Sequence, residues 1–255
     1  MTFWEHLDEL RGSLIKMIAA LLLCSIAAFF FKEELFRIIL APHDSHFITY
    51  RLLDSISHTL FPHGIPATAW KVQLINTGLA HQFLLHVKAS LYAGLLLTCP
   101  VLIYLLFHFV SPALYTHERK YAYRLVGSGY IMFMLGVILS YFVIFPLIFR
   151  FLGTYQVSDT ITNTVTIDSY MHTLLNVSLS MGIVCEIPVI CYLLGSMGLI
   201  NASMMRRYRR HVIVVLLIIA AIITPTSDVF TLMLVALPMW MLYEISIWIV
   251  KIKSA

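Results

Sequence analysis

Long runs almost free of charge alternate along the chain with short clusters of charge, proline and glycine. Four apolar runs, at about 14–31, 83–110, 122–149 and 171–200, match the length of about 20 residues that an α-helix needs to cross a bilayer at 1.5 Å per residue. Two later runs, at about 212–224 and 228–250, are less regular: the first is short, and Glu244 interrupts the second. Charge settles them. Arg206, Arg207, Arg209 and Arg210 precede this pair and Lys251 and Lys253 follow it. Cytoplasmic flanks carry the Lys/Arg excess, so the stretch between crosses twice or not at all, and its apolar content favours two short helices. Arg11 and Lys16, and then Arg119, Lys120 and Arg124, put the earlier flanks on the same side. The pattern predicts an all-α integral membrane protein with six transmembrane helices and both termini cytoplasmic. One membrane domain spans 1–255, with outer loops at about 32–82, 150–170 and 225–227. Pro42, Pro62, Gly64, Pro66 and Gly78 punctuate the first loop, which has room for one or two small helices along the membrane surface. Short crossings in the last hairpin fit a locally thinned bilayer.

Composition agrees. In 255 residues, 60% of side chains are hydrophobic and 12% charged, and the mean hydropathy is +0.88. That is too little polar surface to cover a soluble domain, which excludes a soluble enzyme or nucleic-acid-binding module. The net charge of +4 matters through its placement. Cys24, Cys99, Cys185 and Cys191 lie in apolar runs and read as packing residues, not disulfides. The charged start (Glu5, Asp8, Glu9, Arg11) lacks the pattern of a cleavable signal peptide.

Candidate chemistry sits at the cytoplasmic face and in the fourth helix. Thr2-Phe3-Trp4-Glu5 has the form of a capping box, with Leu7, Leu10 and Leu14 at helical spacing after it. Glu5 and Glu9, four apart, share a face. They either complement the helix dipole or receive a cationic ligand. A second cytoplasmic cluster runs from Ser111-Pro112 to Glu118-Arg119-Lys120, and a carboxylate from each cluster could grip a pair of guanidinium groups by charge-assisted hydrogen bonds. Glu186, before Pro188, is costly at mid-membrane and is expected to face a partner, a wet cavity or the bundle interior. Glu244 is expected to pair at the interface with Lys251 or a lipid headgroup, and Lys88 to snorkel outward. His43 with His46, and His81 with His86, are weak metal candidates without a Cys or Glu at ligand spacing, so no metal or cofactor is expected. HExxH, GxSxG and P-loop motifs are absent, and no enzymatic activity is expected.

His6-Leu7-Asp8-Glu9-Leu10-Arg11 and Ser111-Pro112-Ala113-Leu114-Tyr115 with His117-Glu118-Arg119 resemble the two cytoplasmic motifs of the TatC family, the multispanning subunit of the twin-arginine protein translocase. Ala41-Pro42, Phe145-Pro146, Gly182 with Glu186-Ile187-Pro188, and Thr224-Pro225 with Asp228 follow in the family's order. The resemblance implies a cup-shaped bundle in the bacterial cytoplasmic (inner) membrane. It would bind Arg-Arg signal peptides of folded proteins and recruit single-span TatA- and TatB-type subunits into a hetero-oligomer for export driven by the proton-motive force. It assigns the signal-peptide arginines to Glu9 and Glu118, with Arg11 and Arg119 beside them, and makes Pro42, Phe83, Glu186, Thr224 and Asp228 sensitive positions. Where the family has Thr-Pro-Pro-Asp and a later Gln, this chain has Thr-Pro-Thr-Ser-Asp and Leu232. The alternatives are an ion-coupled secondary transporter that uses Glu186 and, behind it, an intramembrane enzyme.

Overall fold

The computed structural model describes residues 3–60, 70, 72–110, 122–155, 164–224 and 228–254. In chain order it contains α1 (Phe3–Phe29), α2 (Lys32–Leu40), a 3-10 turn (Ala41–His43), α3 (Ile48–Leu60), β1 (Gln73–Ile75) and α4 (His81–Val110). Then come α5 (Ala122–Leu139), a π-helical turn (Ser140–Ile144) running into α6 (Phe145–Thr154), β2 (Thr164–Thr166), α7 (Ile167–Val184), α8 (Ile187–Ser196), α9 (Ala202–Ile223) and α10 (Val229–Ser254). Among the described residues, five stretches are long and apolar enough to cross a membrane: Leu10–Phe29, His81–Leu106, Val126–Thr154, Ile167–Ser196 and Val229–Ile252. With α9 they form six crossing units, α1, α4, α5–α6, α7–α8, α9 and α10.

The boundaries of α9 differ from the sequence expectation for a reason of capping. The side chain of Asn201 accepts the Met204 N–H at 2.8 Å, and the helix starts there. Arg206 to Arg210, which read as loop, therefore occupy its second and third turns. At the other end the Asn176 amide donates to the Ile223 carbonyl at 3.1 Å, supplying from α7 a bond the helix cannot make for itself. The Tyr243 hydroxyl donates to the Met205 carbonyl at 2.9 Å and sets the register of α9 against α10.

Prolines shape two other crossings. Pro146 has no N–H to offer the Phe142 carbonyl four residues back, so the ladder shifts by one residue into the π-helical turn, where the Phe145 N–H reaches Ser140 O. The Thr49 hydroxyl, from α3, donates to the Phe142 carbonyl. Pro188 likewise cannot bond to Val184, and the chain bends at Cys185-Glu186 before α8.

The first outer loop folds into a cap over these bends. At the end of α2 tyrosines from the membrane helices donate to its carbonyls: Tyr170 to Ile39 O at 2.8 Å, and Tyr141 at 2.6 Å to Ile38 O, which also accepts the Ala41 N–H. Tyr50, fully buried in α3, lies 3.1 Å from both Pro42 O and Pro146 O, and its hydroxyl joins the cap to the bend of α5–α6. Burial pushes this phenol well above its ordinary value, so it stays a donor at physiological pH. His43 Nε2 is 2.9 Å from Val72 O. Strands β1 and β2 pair in parallel, Gln73 opposite Thr164 to Ile75 opposite Thr166, and tie the two outer loops together. Beneath them Ile39, Leu85, Phe145, Phe149, Tyr170 and Met171 form an apolar cluster.

Within the bilayer, close contact replaces the hydrophobic drive. A Cβ on Gly94 would strike Ser25 of α1, and one on Gly136 would strike the Met181 carbonyl of α7. A larger cluster packs α9 and α10 against α6 and α7 through Ile148, Met181, Ala220 and Met239. All four cysteines are free.

Tyr50→Phe should cost about 1–3 kcal/mol by leaving buried carbonyls short of a donor. Thermal unfolding of the purified chain in detergent measures this, and an unchanged midpoint would contradict the bracing role.

Candidate functional site

Helix α1 runs unbroken from Phe3 through the membrane, so the His6–Arg11 motif is a cytoplasmic extension of the first crossing and not a separate helix. The Arg11 side chain is exposed. The side chain of Glu9 lies outside the described residues, as do Glu118 and Arg119 entirely.

Glu186 stands where α7 bends into α8, as the residue that caps α8 ahead of Pro188. The bend turns its side chain toward α5 and α4: a methyl group on Gly129 would lie 3.2 Å from Oε2 and 3.4 Å from Ile103. Glycine at 129 thus leaves the room that the carboxylate fills. Oε1 is buried with no hydrogen-bond partner among the described residues. Such a group costs about 1–3 kcal/mol, so Glu186 weakens the fold in this state and is suited to meet something that arrives from outside the chain. Cys99, Phe133 and Val137 form the apolar cluster on the same side of the bundle.

The other predicted positions are dispersed. Pro42 is buried in the outer cap, where its carbonyl accepts from Tyr50. Phe83, 63% exposed, is in the first turn of α4. Thr224 ends α9, its hydroxyl donating to Ala220 O at 3.0 Å. Asp228 opens α10, accepting the Thr231 N–H at 2.8 Å and the Thr231 hydroxyl at 2.7 Å. The structure does not gather these residues into one pocket; they mark the cap, the outer hairpin and the mid-membrane bend.

Lys88 reaches the outer end of its helix, where its Nζ meets Asp168 in the first turn of α7 at 3.1 Å. One expectation is corrected. Glu244 pairs with Arg209 of α9 at 2.7 Å, because α9 begins early enough to bring the arginine alongside. The histidines are used separately. His43 is at Val72 O. His46 donates its backbone N–H to Asp44. His86 stacks on Phe29 with ring centroids 4.0 Å apart. Sequence reasoning missed Thr49, Tyr50 and Gly129. Pro146 was the available signal for the first two, since a proline inside a membrane helix implies a donor elsewhere.

Replacing Glu186 with Met, which fills the same volume without a polar atom, should raise the melting temperature of the purified chain. A fall would mean that the carboxylate holds the fold together.

Residues 5–238 match the family model described as Sec-independent protein translocase protein (TatC). A Sec-independent protein translocase protein TatC from Blattabacterium sp. subsp. Periplaneta americana (strain BPLAN) is 33% identical over 98% of this chain and 94% of its own length. One from Aquifex aeolicus (strain VF5) is 33% identical over 100% of this chain and 96% of its own. A solved structure described as "Crystal Structure of Twin Arginine Translocase Receptor- TatC" superposes with a TM-score of 0.77 at 31% identity, covering 98% of this chain and 100% of that one.

Proposed function

The chain belongs to the TatC family of Sec-independent protein translocase subunits, and from that premise we propose that it is the receptor that captures twin-arginine signal peptides at the cytoplasmic face. The observation that carries this reading is the likeness, over nearly the whole chain, to a structure described as a twin-arginine translocase receptor. Glu9, on the cytoplasmic extension of α1, and Glu118 in the first cytoplasmic loop are the carboxylates assigned to the two arginines of the signal. A guanidinium binds a carboxylate through two parallel charge-assisted hydrogen bonds, which a lysine ammonium cannot reproduce. Arg11 and Arg119 position these carboxylates and limit their mutual repulsion.

Glu186 takes a later part. Its unpartnered oxygen at mid-membrane is suited to a polar group on a partner helix or on the inserted signal peptide, and through it the chain recruits TatA- and TatB-type single-span subunits. Export is then driven by the proton-motive force. Pro42 and Phe83 at the outer side, and Thr224 and Asp228 at the outer hairpin, hold the helices on which partners dock. An ion-coupled transporter would also carry a carboxylate like Glu186; a proton flux through liposomes containing this chain alone would favour that reading.

Glu9→Ala and Glu118→Ala should each weaken binding of a fluorescent twin-arginine signal peptide by about 2–5 kcal/mol, since each leaves one arginine without a desolvated partner. Fluorescence anisotropy with the purified chain reads this directly, and unchanged affinity for either variant would remove that residue from the site. Glu186→Met should leave the affinity as it was and abolish export of a folded precursor in vesicles that contain the partner subunits. Loss of capture in that variant would overturn the division of labour.

A further inference from the structure

The cytoplasmic end of α9 carries four arginines in five positions, and the fold uses one of them. Arg209 turns toward α10 and is held by Glu244 at 2.7 Å. Arg206, Arg207 and Arg210 are exposed and form no ion pair among the described residues. They do not lie on the packed face of the helix, which is marked by buried Met205, Leu216, Ala220 and Ile223. Arg207 shares the outward face with Val214, Ile218 and Ile222 at i+7, i+11 and i+15, and these three are 55%, 55% and 76% exposed. Arg210, one turn on, and Arg206 lie to one side of Arg207 at the head of this column.

The column has the proportions of a phospholipid. From Val214 to Ile222 is about 12 Å along the helix, close to the about 15 Å of one leaflet's hydrocarbon. Aromatic side chains stand at the same level. Tyr208 is 49% exposed, and Trp248, one turn beyond Glu244 on α10, is 67% exposed. Such rings favour the headgroup layer. The apolar run of α9 after Val212 is too short to reach across an unperturbed bilayer, a mismatch that bilayer thinning toward the arginines would relieve.

We propose that this face of α9 is a binding site for an anionic phospholipid of the cytoplasmic leaflet, its phosphate held by Arg207 and Arg210 with Arg206 at the edge and one acyl chain lying along Val214, Ile218 and Ile222. Three unneutralised guanidinium groups select a lipid with net negative charge over a zwitterionic one. The apolar stripe below them selects a lipid over an acidic peptide or free phosphate, neither of which has a use for it.

Native mass spectrometry of the detergent-purified full chain tests the site, with phosphatidylglycerol, phosphatidylcholine, inorganic phosphate and an acidic peptide offered separately. The expected result is retention of phosphatidylglycerol at least about tenfold over phosphatidylcholine. The preference should fall to parity in the Arg207→Gln/Arg210→Gln double variant and return largely in Arg207→Lys/Arg210→Lys. Arg37→Gln, on the outer side, should leave it unchanged. The folded state of each variant is checked by its melting curve. If the Gln variant melts early, the Lys variant and the wild-type preference decide. Equal retention of the two lipids by the wild type, phosphatidylglycerol retention surviving in a folded Gln variant, or tighter capture of the acidic peptide than of lipid would each overturn the proposal.

Discussion

A backbone carbonyl freed inside a bilayer has no water to turn to, and the architecture of this chain follows from how it meets that requirement. Pro100, Pro146, Pro188 and Pro238 each deprive a crossing of a ladder hydrogen bond. At Pro146 the donor comes from another element: Thr49 bonds Phe142 O, and Tyr50 reaches over Pro146 to Pro42. The outer cap is therefore more than a loop lying on the bundle. Its own helix end at Ile38 and Ile39 is completed by tyrosines from α5–α6 and α7, while its α3 completes the bend in α5–α6. Cap and bend supply each other's missing donors, which explains why a proline in the cap and a proline in a crossing belong to the same structural problem.

The same requirement applies to charge. Lys88 and Arg209, at the outer and inner ends of their helices, are matched by Asp168 and Glu244. Exposed pairs of this kind contribute about 0–1 kcal/mol, and their effect is to fix the level of one helix against another. Glu186 breaks the pattern. It lies at a proline-induced bend in the space left by Gly129, with an oxygen that nothing among the described residues satisfies. Its cost to stability is what the proposed role accounts for: a polar group on an arriving helix would satisfy it.

Much of this was readable in advance because the bilayer enforces a simple code. The crossings show as runs without charge, the orientation shows in Arg119, Lys120 and Arg206 to Arg210, and Glu186 is conspicuous as a lone charge in an apolar run. The early start of α9 was missed because arginines suggest loop, while the Asn201 cap that begins the helix is one ordinary residue. Strands β1 and β2 are three residues each and pair across a long separation, too short for any alternation to register. The partners of Lys88 and Arg209 lie 80 and 35 residues away, and no local pattern joins them. Gly129 could not be singled out because a glycine in an apolar helix has no local sign that a carboxylate from another helix needs its space. Glu9 and Glu118, whose side chains lie outside the described residues, are assigned by the family resemblance alone, whereas composition left the acidic start of α1 equally suited to a helix-dipole role.

Membership of the TatC family makes recognition of paired arginines the central functional claim. The most direct measurement compares the affinity of the purified chain for one signal peptide carrying Arg-Arg with that for the same peptide carrying Lys-Lys. A receptor that reads guanidinium geometry through two carboxylates binds the first more tightly by a factor of at least about ten, because each lost bidentate pair removes a charge-assisted hydrogen bond at unchanged net charge. Equal affinity for the two peptides would contradict it, leaving attraction of positive charge to an acidic face as all that the chain performs.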